Sequence, residues 1–233
     1  MEENFSAIFK KSYDLFLKNI KVFSIVFFIF FVPMVVLILL GGGIFTFLKS
    51  ADGGFFVISI LVSGIAFIAI TLFALLYSIA LIKTIHNAAQ GQAVSGLEMY
   101  KEARGVLKPF AVVSVIVFIK VLLWSLLLII PGIIFSVLYS FSQLSVILDE
   151  KRGNEALVLS KSVIKANLKE FLLKMLALMG VALLISIISS FMVLIPYVGF
   201  IINEAVKIAL GIYAMIFSYY LYQDLKSKAG AEG

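Results

Sequence analysis

From Ala111 to Leu148 the chain runs 38 residues with one charge, Lys120, and with Pro131-Gly132 standing alone in the middle. As a single helix this stretch would reach about 57 Å at 1.5 Å per residue, against a bilayer hydrocarbon core of roughly 30 Å. It therefore has to fold back. Proline removes a backbone donor and restricts the residue before it, while glycine accepts left-handed dihedrals. The "IPG" at 130–132 thus predicts a tight reversal between two spans and not a kink in one.

Apolar runs of spanning length recur near 22–48, 55–82, 110–130, 132–148, 171–195 and 197–222. Composition agrees, since 63% of the 233 residues are hydrophobic and only 14% are charged, where soluble domains carry about a quarter. The expected fold is all-α: a polytopic transmembrane helical bundle of six spans, forming one integral membrane domain over 1–233. Three divisions between spans are minimal, "KSADGG" (49–54), "IPG" (130–132) and "IPYVG" (195–199), and predict tight turns. The other two, 83–109 and 149–170, are polar. The opening "MEENFSAIFKKSYDLF" puts acidic residues first and lacks a basic n-region, which reads as no removable signal peptide.

Cations set the expected orientation, because Lys and Arg accumulate on the cytoplasmic side. Sixteen fall on one side: Lys10, Lys11, Lys18, Lys21, Lys83, Lys101, Arg104, Lys108, Lys151, Arg152, Lys161, Lys165, Lys169, Lys174, Lys226 and Lys228. Only Lys49 falls on the other, with Lys120 and Lys207 inside spans. Both termini and both polar stretches are expected to be cytoplasmic.

A weak internal repeat accompanies this pattern. "KNIKVF" (18–23), "RGVLKPF" (104–110) and "KANLKEF" (165–171) each close a basic amphipathic segment and open a span. The six spans thus read as three hairpins, each preceded by an interfacial helix. In the first, Phe5, Ile8, Phe9, Tyr13, Phe16 and Ile20 recur at helical spacing, which predicts a helix on the membrane surface. The second opens on Ser95-Gly96-Leu97-Glu98, a capping-box pattern. The third, with Asn154 as cap, aligns Leu157, Ser160, Ile164 and Leu168 on one line and Lys161, Lys165 and Lys169 on another.

The stretch "IPGIIFSVLYSFSQLSVILDEKRGNEALVLSKSVIKANLKEF" resembles the YciC-like proteins, a group of prokaryotic six-span membrane proteins. These are similar in turn to the membrane domain fused to some glycerophosphodiester phosphodiesterases. The resemblance rests on Pro131-Gly132, Asp149-Glu150, Gly153, Glu155-Ala156-Leu157, Ser160 and Asn167, and is strongest over about 130–171. It implies an integral fold in a prokaryotic cell (inner) membrane, and no reaction, since the phosphodiesterase domain of the fused relatives has no counterpart in this chain.

Four polar residues fall within predicted spans: Lys120, Asn203, Glu204 and Lys207. Intramembrane charges cost a few kcal/mol each unless paired or hydrated, so they are expected to face the bundle interior. They read either as a polar path or binding site, or as an ion-paired triad that holds packing. Glu204 is expected close to Lys120, Lys207 or both. His86 reads as a pH-sensitive group or as a headgroup-region residue. Pro33 and Gly41–Gly43 read as hinges or packing features, and Ser59/Ser63 and Ala205/Ala209 as small pairs allowing close helix approach.

No H-E-x-x-H, G-x-S-x-G, paired intramembrane aspartates or G-x-x-x-x-G-K-[ST] occurs, the chain has no cysteine, and a single histidine builds no His-rich metal site. The expectation is no enzyme, no metal and no cofactor. The basic segments alternate with lipid-facing aromatics beside the membrane, which favours anionic lipid headgroups over nucleic acid, with Lys161, Lys165 and Lys169 as the headgroup-facing line. The pattern names no protein partner. The expected role is a scaffold or accessory factor in envelope or lipid homeostasis. The alternative is a transporter of a small solute, ion or lipid that uses the intramembrane charges.

Overall fold

The computed structural model describes residues 4–50, 56–195 and 198–231, with side chains described outside 37–59, 193, 200 and 231. All described elements are helical: α1 (Phe5–Lys18), α2 (Ile20–Ser50), α3 (Phe56–Ala89), α4 (Gly96–Leu127), α5 (Ile129–Leu138), α6 (Ser142–Leu148), α7 (Asn154–Ala166), α8 (Leu168–Ser190) with a 3₁₀ turn at Phe191–Leu194, and α9 (Val198–Ala231). Five described helices are long and apolar enough to cross a membrane, or six if the bent pair Phe5–Lys18 and Ile20–Val36 counts as one span. The chain is a multi-pass, all-α membrane protein. The turns expected at 49–54 and 195–199 fall partly on residues outside those described, and the Ser59/Ser63 pair includes Ser59, whose side chain is not described. Neither Pro33 nor Gly41–Gly43 interrupts α2.

The internal repeat explains where the helices break. Aligned on their closing phenylalanines, the three copies place Asn19, Val106 and Asn167 at one position. At Asn19 (φ −115°, ψ 18°) and Asn167 (φ −125°, ψ 32°) the helix stops and a new one starts at the next residue. Each amide turns back to its own helix, Asn19 Nδ2 donating to Leu15 O at 3.1 Å and Asn167 Nδ2 to Val163 O at 3.2 Å. Asparagine offers the backbone this local alternative; valine does not. The second interfacial helix expected at 95–109 is accordingly not separate. It continues through Val106 and Pro109 into the span as one 32-residue helix. Ser95 sits at the expected N-cap, but its hydroxyl makes no capping bond. At α7 the cap is Gly153 (φ 51°), and Asn154 is the first helical residue. The closing phenylalanines Phe23, Phe110 and Phe171 are all buried.

The reversal in the 111–148 run lies at Leu128 (φ −157°, ψ 137°), before the proline. Pro131 occupies the first turn of α5, where a missing N–H costs no helical bond. Gly132 lies against α4: a Cβ there would fall on Ser125 Oγ and within 2.8 Å of Ser125 Cα.

The expected fourth span at 132–148 is two helices, broken at 139–141. Ser160 of α7 closes the break. Its hydroxyl donates to Leu138 O at 2.8 Å and accepts from Phe141 N at 3.1 Å, fully buried. Ser160→Ala would leave both backbone groups without this partner inside the bundle. It is expected to destabilise the protein by about 1–3 kcal/mol, measurable as a lowered unfolding midpoint in detergent. An unchanged midpoint would mean that water or another group satisfies the break.

Burial is uneven along the bundle. The core gathers Ile8, Phe23, Ile79 to Ile85, Ala103, Phe110, Leu144, Leu157, Ile164, Phe171 and Ile212 to Leu225, toward the end where α3, α6, α7 and α9 meet, here called the basal end. Toward the other end, large apolar side chains such as Phe67, Phe118, Leu126, Ile130 and Leu194 are exposed. In water such a surface would drive association; within lipid it is the expected exterior.

Candidate functional site

The C-terminal half of α9 carries most of the polar contacts at the basal end. Two carboxylate–lysine pairs at i,i+4, Glu170/Lys174 on α8 and Asp224/Lys228 on α9, close into a ring. Lys174 Nζ lies 2.5 Å from Glu170 Oε1 and 2.9 Å from Asp224 Oδ2. Lys228 Nζ lies 2.5 Å and 3.2 Å from the same two oxygens. The ring balances two positive and two negative charges, and its centre is dry, with the side chains of Lys174 and Asp224 only 8% and 5% exposed. Asn167, at the break before α8, donates to Leu225 O at 3.2 Å and ties the same helices together.

Asp149, at the end of α6, is a second hub. Tyr222 donates to its Oδ2 and Lys226 pairs with its Oδ1, while the Ser145 and Tyr222 hydroxyls lie 3.2 Å apart. A third chain links α3 to α9. Gln90 Nε2 lies 3.0 Å from His86 Nε2, His86 Nδ1 lies 3.1 Å from the Tyr219 hydroxyl, and Gln223 Nε2 donates to that hydroxyl at 2.9 Å. With the Gln90 amide donating to Nε2, the imidazole carries its proton on Nδ1 and donates to Tyr219. His86, Asp149, Tyr222, Gln223 and Lys226 line one cavity of about 360 Å³. His86 is thus a hydrogen-bonded link between helices.

The residues singled out by span position are divided among three places. Glu204 and Lys207 meet at 2.7 Å, as their i,i+3 spacing implies, with side chains 42% and 52% exposed. They lie on the outer surface of the bundle and not in its interior. Asn203 is buried and accepts at Oδ1 from the Ser189 hydroxyl at 2.9 Å, joining α8 to α9 at the far end. Lys120 does not complete a triad with this pair. Its amine donates to Asn154 Oδ1 at 2.8 Å and lies 5.7 Å from the centre of the Tyr139 ring. A lysine on a span has a stem long enough to carry its charge along the helix to a polar partner, and Asn154 is that partner.

The expected lysine line is interrupted. Lys161 and Lys165 stand one turn apart on α7, and Lys169 lies past the Asn167 break in the first turn of α8. The opposite face of α7, with Ala156, Leu157, Ser160, Val163 and Ile164, is buried against the bundle. Likewise α1 is docked on α9, with Phe5 against Phe217, Phe9 against Tyr213, and the Tyr213 hydroxyl donating to Phe9 O at 2.9 Å. A 73° bend separates α1 from Ile20–Val36 of α2.

Sequence reasoning counted Lys174 among the topology-setting cations and passed over Glu170 and Asp224. The signal was present as two acid-to-lysine pairs at i,i+4, which mark charges already partnered along a helix. No group of three or more His, Cys, Asp or Glu able to hold a metal ion occurs among the described residues. Compared with protein-family models, with curated proteins and with solved structures, the chain matches none.

Proposed function

We propose that this multi-pass membrane protein is a non-enzymatic scaffold or accessory factor in envelope or lipid homeostasis, with anionic lipids as its partners. The observation that carries the reading is the use made of the charges. Lys174, Glu170, Asp224 and Lys228 neutralise one another, Asp149 is taken up by Tyr222 and Lys226, and Glu204 by Lys207. Groups so engaged hold helices together and are poorly placed to bind a substrate. Lys165 and Lys169, in contrast, are exposed beside the buried face of α7. The resemblance to YciC-like proteins belongs to this proposal. Asp149, Gly153, Ser160 and Asn167, on which it rests, each serve a junction of the fold, so it supports a shared architecture and not a reaction. The proposal places both termini in the cytoplasm of a prokaryotic cell, on the sixteen-to-one cation count.

The test compares wild type with a Lys161→Gln, Lys165→Gln, Lys169→Gln variant whose topology is unchanged, reconstituted in mixed vesicles. Each cation near an anionic leaflet contributes roughly 1 kcal/mol, screened by salt. The variant is expected to lose anionic-lipid enrichment at low salt, read by native mass spectrometry of the retained lipids. Equal enrichment in both proteins would reject headgroup binding by these lysines.

One observation favours the alternative, a transporter: Lys120 stands beside the break in the 129–148 span, and discontinuous spans often border transport sites. Substrate-dependent flux in proteoliposomes, abolished by Lys120→Gln but retained by Lys101→Gln, would establish that reading.

A further inference from the structure

Helices α8 and α9 are tied by polar side chains at both ends. At the basal end they are held by Lys174–Asp224, and at the far end by Ser189–Asn203. The fifteen residues separating Lys174 from Ser189 span about 22 Å at the helical rise. Between these clamps lies a cleft of about 300 Å³, walled by Leu178, Ala182 and Ile185 of α8 and by Val206, Ala209 and Leu210 of α9. Ala182 and Ala209 face it with only a methyl group each, which leaves room between the two helices at this level. Phe9, Tyr13 and Phe16 of α1 form its remaining wall.

We infer that this cleft holds an acyl chain of an anionic glycerophospholipid, with the headgroup beside α1. A void of this size left empty forfeits packing for every side chain around it. Water has little to bind there: the lining is hydrocarbon apart from the two tyrosines, and the Tyr213 hydroxyl is already donated to Phe9 O. A second helix, roughly 10 Å wide, does not fit a slot clamped at both ends. An acyl chain does, and surrounding lipid supplies it. Charge points to the anionic class. On the side of α1 that lines the cleft, exposed Lys10 precedes the half-exposed Tyr13 by three residues, one turn away on the same side of the helix. The cleft deepens the lipid-directed reading above and rests on it for the class of partner. It does not use Lys161, Lys165 or Lys169, so loss of their lipid preference and loss of cleft occupancy are separate results.

The full chain would be placed in phosphatidylcholine nanodiscs doped with phosphatidylglycerol bearing a photoactivatable acyl chain, and the cross-linked peptides mapped. Label is expected to concentrate on 178–185 and 206–214, above the lipid-facing control segment 60–68. Ala182→Phe with Ala209→Phe fills the cleft and should cut that label about tenfold, the loss that accompanies 1.4 kcal/mol of binding. Lys10→Gln, a surface change that leaves the cleft intact, should reduce label from the phosphatidylglycerol probe more than from a phosphatidylcholine probe of the same chain. Label no denser in the cleft than at 60–68, or equal loss for both probes in Lys10→Gln, would overturn the assignment. So would cross-linking of position 182 to a second copy of the chain.

Discussion

Asp224→Ala is expected to lower stability by about 3 kcal/mol, at the lower end of what breaking a buried ion pair costs, because Glu170 remains to hold Lys174. The side chains of Lys174 and Asp224 are almost wholly withdrawn from the surface, so solvent screening gives little relief. With Asp224 gone, Glu170 still faces both Lys174 and Lys228. The readout is the unfolding midpoint in mixed detergent micelles. Asp224→Leu combined with Lys174→Met removes both charges, fills similar volume, and should recover most of the loss, since a buried pair is often replaced by apolar groups at little cost. If the double variant is no better than the single one, α8 and α9 are not joined through this pair.

Gly132→Ala is the second substitution with a large expected effect. The added Cβ would meet Ser125 Oγ and lie 2.8 Å from Ser125 Cα, so backbone has to move and not merely a rotamer. Overpacking of this kind costs typically about 1–3 kcal/mol. Separating α4 from α5 also disturbs the stacked Trp124 and Phe135 rings, whose centroids lie 4.7 Å apart. Ser125→Gly in the same chain withdraws the opposing side chain and should restore part of the loss. Gly180→Ala supplies the contrast. Its Cβ would meet nothing within 4 Å, and alanine favours a helix interior over glycine, so stability should hold or rise. Equal losses at Gly132 and Gly180 would show that helix propensity, and not the Ser125 contact, governs both sites.

Much of the architecture was legible in the chain because spanning is a local property. Whether a stretch fits a bilayer depends on length and summed hydropathy, and α3, α4, α8 and α9 follow the predicted runs. Boundaries were less legible, for a reason the repeat makes plain. Hydropathy placed the second junction at 109–110, but backbone competition decides whether a helix breaks, and Val106 lacks what Asn19 and Asn167 supply. The candidate site was least legible. Glu204 and Lys207 were read as a pair because three residues separate them, whereas Lys174 and Asp224 stand fifty apart. Local spacing also suggested one interior group of Lys120, Glu204 and Lys207, which the fold divides between Asn154 and the outer face of α9.

The sequence by itself determined the solvent this protein needs, that it is all-helical with several apolar stretches of spanning length, and the clustering of cations around its polar stretches. These follow from transfer energies that add along a chain without regard to neighbours. Tertiary structure alone decided that Ser160 seals a broken helix, that α1 lies along α9, that Asp149 serves Tyr222 and Lys226 from 73 and 77 residues away, and that α8 and α9 part around a cleft. Each of these depends on which faces of which helices meet. Pairing energies of polar groups and the filling of voids exist only once that choice is made.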